Sequence, residues 1–115
     1  MLQRNWGKCG DDKHWCNFYR VELNDKSTFG VYVMFEENIY GIKATLYVGQ
    51  GTIQDRIEDH REEKNLPEGA LVTWAEVPED DADDIEAYLI KKLNPSLNVY
   101  KPVHPLGGET INLPY

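Results

Sequence analysis

The chain contains no apolar run longer than residues 31–35. A membrane helix needs roughly 20 such residues, so a spanning helix is excluded and no membrane partner is expected. Its first residues, Met1-Leu2-Gln3-Arg4-Asn5-Trp6, lack the apolar core of a secretion signal, and a cytoplasmic location is expected. Cysteine is scarce, with only Cys9 and Cys16. In a cytoplasmic chain that argues for free thiols rather than a covalent staple. Positive charge is also short: Lys+Arg 12 stand against Asp+Glu 20, a net charge of -8. Phosphate contact favours Lys and Arg clusters, so a body of this charge repels nucleic acid except at a local basic groove. There is no internal repeat and no low-complexity linker.

What is present reads as one globular domain. The 115 residues are 41% hydrophobic and 28% charged, enough for a single modest core. Residues 1–16 are irregular, and 17–23 read as a strand closed by the turn Asn24-Asp25-Lys26-Ser27. Residues 31–35 and 45–48 read as two strands of a hairpin, joined by a long loop that includes Gly41. Gly49-Gln50-Gly51 is expected to break the second strand. Thr52, with Asp55 three residues on, predicts the cap of a helix over about 53–64. Residues 71–77 alternate like a third strand, Pro78 stops it, and a second helix is predicted over about 81–93, ended by Pro95. The tail is loop-like, with a short edge strand expected at 110–113. This order predicts an α+β domain with a mainly antiparallel central sheet of about three strands flanked by helices.

Both helices carry a polar residue where an apolar one belongs. On the second, Ala82, Ile85, Leu89, Ile90 and Leu93 share a stripe, and Glu86 lies inside that arc. A carboxylate there is costly unless a protein cation, water or a metal pairs with it. The acidic run before it needs no site, because negative charge is favourable at a helix N-terminus. On the first helix the apolar stripe holds only Ile53 and Ile57, with His60 on the same stripe and Arg56 one turn earlier. Tyr32 and Tyr47 alternate with Val31, Val33, Leu46 and Val48, so their rings are expected to leave one sheet face while the aliphatic residues fill the other. Gly49 would let the chain turn sharply and let a phosphate approach the next helix.

Gly30-Val31-Tyr32, Tyr47-Val48-Gly49, the Arg56/His60 pair, Glu86 and the turn Asn94-Pro95-Ser96-Leu97-Asn98 follow one another in an order that resembles the GIY-YIG nuclease domain. The resemblance covers about residues 30–98, leaving 1–24 as an N-terminal extension and 99–115 as a tail. Residues 70–77 and Asn112-Leu113-Pro114 also look like small stand-alone bacterial members. The resemblance implies an endonuclease that hydrolyses DNA phosphodiesters with Mg²⁺ or Mn²⁺. It implies Glu86 as the sole protein ligand of the metal, Arg56 on the phosphoryl oxygens, and Tyr32 with His60 activating water. Tyr47 would orient water or phosphate, and Asn98 would hold the site together. Gly49 and Lys43 are candidate phosphate contacts, and Lys43, Arg56, Arg61 and Lys64 are candidates for a basic groove. Given the acidic surface, a basic protein partner is expected to supply targeting. The alternative is a catalytically silent module of the same fold, acting through protein or nucleic-acid contacts.

Cys9, His14 and Cys16 form a second, weaker constellation. Zinc motifs show tighter pairs, and this set is irregular and one ligand short, so buried thiols are the favoured reading. Trp6, Trp15 and Trp74 are expected to pack rather than to stack on bases, since no basic residues interleave them.

Overall fold

A computed structural model describes residues 1–11 and 13–115 of the chain. The elements run β1 (Cys16–Asn17), β2 (Phe29–Glu37), β3 (Lys43–Thr52), α1 (Ile53–Glu63), β4 (Leu71–Glu76) and α2 (Glu79–Leu93). The strands form one antiparallel sheet in the order β1-β4-β2-β3. Among the described residues it has four strands rather than three. The fourth, β1, is too short to show alternation in sequence. Asn17 ends it by turning the chain: its side-chain Oδ1 accepts from the N–H of Tyr19 at 2.9 Å and its carbonyl from that of Val21 at 3.0 Å. The strand expected over 17–23 is therefore mostly a turn.

Alternation along β2 divides the core. Val31, Val33 and Phe35 pack with Ala82, Ile85 and Leu89 of α2, whereas Tyr32 and Met34 pack with Ile53 and Ile57 of α1. The helices thus lie on opposite faces, and both faces are buried. The tyrosines do not leave an aliphatic face for an open one; they help to fill a second core. Leu46 departs from the expected alternation as well. The β2–β3 register jumps from Met34 opposite Tyr47 to Phe35 opposite Thr45, so Leu46 sits at a bulge and joins Tyr47 on the α1 side.

Other boundaries moved for local reasons. β3 runs unbroken through Gly49-Gln50-Gly51 because each of these residues still pairs with β2. The hairpin loop is short, closed by Asn38, whose N–H donates to the Ile42 carbonyl and whose side chain accepts from Tyr40 and Ile42. Thr52 precedes α1 but makes no side-chain cap. α2 starts at Glu79, two residues before the expected Asp81, because Pro78 takes the N-cap place with Asp and Glu in the first turn. It ends at Asn94, held in a left-handed conformation with its N–H on the Ile90 carbonyl, before Pro95 is reached. Gly30 is needed for sheet closure, since a Cβ there would lie 2.0 Å from the Ala75 carbonyl oxygen of β4.

The two ends of the chain are woven into the same body. Leu2 bridges Ile111 in parallel, and the Gly7 N–H donates to the Trp74 carbonyl at 2.8 Å. The Asn112 carboxamide accepts from the Arg4 N–H at 2.7 Å and donates to the Arg4 carbonyl at 2.9 Å, standing in for a strand residue. The three tryptophans pack, as expected: Trp6 donates to the Asn112 carbonyl, Trp15 meets Phe35 edge-on, and Trp74 covers Gly7. Among the described residues no helix is long and apolar enough to cross a membrane.

The cysteines depart from expectation. Cys9 and Cys16 are joined as a disulfide rather than held as free thiols. A tight turn brings them together, with the Cys9 N–H donating to the His14 carbonyl and the His14 N–H returning to Cys9. The bridge removes both thiols from any zinc set, and among the described residues no group of three His, Cys, Asp or Glu side chains is arranged to hold a metal. It ties the irregular N-terminal segment to β1 and so to the sheet. Closing a loop this short stabilises by about 2–3 kcal/mol through chain entropy. Urea unfolding of the oxidised protein and of Cys9→Ser should differ by that amount, with an unchanged slope; equal midpoints would show that the bridge carries no stability.

Candidate active site

β3 is an edge strand, and its outer side is sealed only in part. The Ser96 and Leu97 N–H groups donate to the Thr45 and Leu46 carbonyls at 3.2 and 2.8 Å. The Asn98 carboxamide then accepts from the Val48 N–H at 2.9 Å and donates to the Val48 carbonyl at 3.0 Å. Past Val48 the seal ends, and a cavity of about 500 Å³ opens at Gly49. Gly49 lies directly opposite Tyr32. A Cβ on Gly49 would fall 2.3 Å from the Tyr32 hydroxyl oxygen and 2.4 Å from its Cζ. The glycine is therefore required by the ring packed over it, not by a sharp turn; of the two glycines in this stretch, only Gly51 has a positive φ, 139°.

Because Gly49 presents no side chain, groups from both faces of the sheet meet around this edge. From the α1 side come Tyr32, Tyr47, Arg56 and His60; from the α2 side come Gln50 and Glu86. Tyr32 is 2% exposed, and its hydroxyl lies 3.0 Å from His60 Nε2. His60 Nδ1 faces Glu63 at 3.6 Å. The Tyr47 ring lies near-parallel to that of Tyr32 at 6.2 Å and 4.7 Å from the imidazole. Arg56 is half-exposed, its stem running over Gly51 and its guanidinium paired with Asp59 one turn on. Glu86 is half-buried, and no Arg or Lys ion pair reaches it among the described residues. The salt bridge that would most simply explain a carboxylate in the α2 stripe is absent.

The electrostatics follow from burial and from an excess of acids. Asp59, Glu62, Glu63 and Glu86 line the cavity against the single guanidinium of Arg56. Burial pushes the Tyr32 phenol well up, with the Tyr47 hydroxyl adding to the effect and Arg56 opposing it. Tyr47 is raised by burial and then by the Glu86 and Glu63 carboxylates. Burial lowers His60, outweighing the upward pull of Glu63. Glu86 is raised by burial and by Asp83, while the Gln50 amide pulls the other way. At neutral pH the centre is thus a neutral phenol on a neutral imidazole. In the tautomer with Nε2 unprotonated, the imidazole accepts a hydrogen bond from the Tyr32 hydroxyl.

The structure brings together Tyr32, Tyr47, Gly49, Arg56, His60 and Glu86. Asn98 stands one step away, holding the strand that carries Tyr47. Lys43 is not part of the site. It starts β3 at the far end of the hairpin, where its ammonium pairs with Glu37 at 3.0 Å and the Gly41 carbonyl at 3.1 Å. Arg61 also turns away, donating to the carbonyls of Phe18 and Val21, so the basic groove of Lys43, Arg56, Arg61 and Lys64 does not form. Sequence reading missed Gln50. It donates to Asp83 at 2.7 Å and joins β3 to α2 beside Glu86; a polar residue between two glycines on a strand was its only signal. No family model, no curated protein and no solved structure matches this chain.

The lowered His60 has a stability consequence. Its proton affinity is weaker folded than unfolded, so the unfolded chain binds more protons and stability falls as pH drops through about 6.5. Glu86 titrates with the opposite sign at lower pH, because its acid form is favoured when folded. His60→Gln should therefore flatten the loss of melting temperature between pH 7 and 5, while the wild type declines. Parallel curves for the two proteins would show that the imidazole is not held neutral.

Proposed function

We propose that this cavity is the active site of a divalent-metal-dependent endonuclease of GIY-YIG type, hydrolysing DNA phosphodiesters. The observation that carries the reading is convergence. Five side chains drawn from β2, β3, α1 and α2 line one cavity, in the order the family resemblance implies. A core of purely structural origin has no need of a phenol, an imidazole, a guanidinium and an unpaired carboxylate at one strand edge.

Glu86 fits a hard cation. It is a half-buried carboxylate without a protein cation, in a cavity rich in acids, and Mg²⁺ or Mn²⁺ bound by one carboxylate keeps most of its waters. When bound, such an ion polarises the phosphate and steadies the leaving oxygen. The chain's own groups supply the rest. In one relay the Tyr32 hydroxyl proton passes to His60 Nε2 as the phenol oxygen takes a proton from the attacking water, which avoids a free phenolate that burial disfavours. Arg56 must leave Asp59 to reach a phosphate, exchanging one carboxylate partner for two phosphoryl oxygens. Tyr47 orients the water or the phosphate, and Gly49 leaves room for it.

One observation favours the second reading, a silent binding module. The cavity walls carry four acids and one guanidinium that is already paired. Such a surface repels DNA unless a metal or a basic partner offsets it.

The readings separate on a plasmid-nicking assay with Mg²⁺ or Mn²⁺. EDTA and Glu86→Ala should each abolish cleavage while the fold persists. Wild-type rates for the Ala variant would overturn the role of Glu86. Arg56→Ala should leave stability within about 1 kcal/mol, as expected for a half-exposed ion pair. It should lower kcat by on the order of 10²–10³, as for loss of a charge-stabilising donor. Tyr32→Phe loses a buried hydrogen bond worth about 1 kcal/mol. Its cleavage should drop on the order of 10²–10⁴ if the phenol is the base. Activity and melting temperature falling in proportion would instead assign Tyr32 and Arg56 to packing.

A further inference from the structure

A second cavity, also of about 500 Å³, adjoins the first and shares two of its walls, Gln50 and Glu86. Its character is different. One side is formed by the tail, where Tyr100 is 78% and Val103 89% exposed, together with Pro102 and with Pro105, whose carbonyl accepts from the Gly108 N–H in a turn. Among the described residues the Tyr100 ring stacks on no other aromatic side chain. Part of its lining is acidic. Asp83 accepts from Gln50 through one oxygen, and Asp84 accepts from the Glu109 N–H at 3.3 Å through one oxygen. Each carboxylate keeps its second oxygen for another donor. Among the described residues no Lys or Arg lines this cavity.

We propose that the second cavity is a base subsite, taking the unpaired nucleobase next to the phosphate held at the first cavity. The proposal rests on the nuclease reading of that first site. An exposed ring at one side of a nucleoside-sized cavity suits stacking on a base face. Free carboxylate oxygens in the same lining suit the exocyclic amino groups of cytosine, adenine or guanine, which thymine lacks. Carboxylates and the absence of cations exclude a phosphate, so the uncharged base end of a nucleotide enters here and the phosphate stays by Arg56. A paired base cannot reach the cavity, so the strand is unpaired at this nucleotide. The charge of the chain points the same way. A body of net charge -8 is repelled less by a single strand than by a duplex, whose phosphates are twice as dense along the axis.

The test uses a short fluorescein-labelled deoxyoligonucleotide, as single strand, as duplex, and as single strand with one abasic position. Binding is read by anisotropy with Ca²⁺ and cleavage with Mn²⁺. Tyr100 is exposed, so its variants should fold. Tyr100→Ala should weaken single-strand binding by about 5- to 150-fold, the effect of one lost base stack, and Tyr100→Phe should restore it. The abasic strand should show the same loss with the wild type and no further loss with Tyr100→Ala. Cleavage that ignores both Tyr100→Ala and the abasic position would overturn the subsite and leave the nuclease standing. Tyr100-dependent binding without any cleavage would support the subsite and overturn the nuclease. Neither binding nor cleavage would overturn both.

Discussion

The arrangement turns on one missing side chain. Gly49 lies opposite Tyr32 across the central hairpin, and the phenol occupies the space its Cβ would fill. This permits Tyr32 to lie flat on its neighbour strand and to reach His60 on α1. It also leaves a notch in the edge strand through which groups on the two sheet faces meet. With any other residue there, the Cβ would clash with the ring, and Tyr32 would have to shift from its place beside His60. The seal over the adjacent backbone matters for the same reason. Asn98 satisfies Val48 with a side-chain amide instead of a full strand, so the covering stops one residue short of the notch. Asn112 uses the same device on the Arg4 backbone. A carboxamide carries the donor and acceptor of a peptide unit, and it pairs with one residue without prolonging the sheet.

What could be read in the residues beforehand was what repeats along a single element. The α2 stripe and its intruding carboxylate appear at a spacing set by helix geometry, and Glu86 stands where that spacing puts it. The hairpin, α1 and the third main strand were likewise legible. Features that depend on two segments meeting were not. The bulge at Leu46 arises from the β2–β3 register and left no mark in β3 alone. The disulfide depends on the turn between Cys9 and His14 folding back. Lys43 looked close to the site in sequence, but a strand rises about 3.3 Å per residue, and the distance to Gly49 along β3 carries it out of reach. Arg61 lies one residue beyond His60 and so about 100° around the helix, toward the N-terminal segment rather than the cavity.

The charge of the cavity constrains its chemistry more than its shape does. Four acids and one guanidinium leave the region electronegative, which adds to burial, the larger cause, in keeping both phenols protonated. A phenol so raised stays protonated near neutral pH, so the free protein offers no ready phenolate base. On the proposed reading the same acids would attract a divalent cation, and a cation held at Glu86 would weaken the negative field felt by Tyr32 and Tyr47. Metal binding and the release of the Tyr32 proton would then be coupled through one set of carboxylates. On that reading, the site stays inert without metal and gains its ability to approach phosphate and to release the Tyr32 proton together. The Arg56–Asp59 pair follows the same logic. It parks the guanidinium while no phosphate is present, and a half-exposed pair of this kind costs little to open.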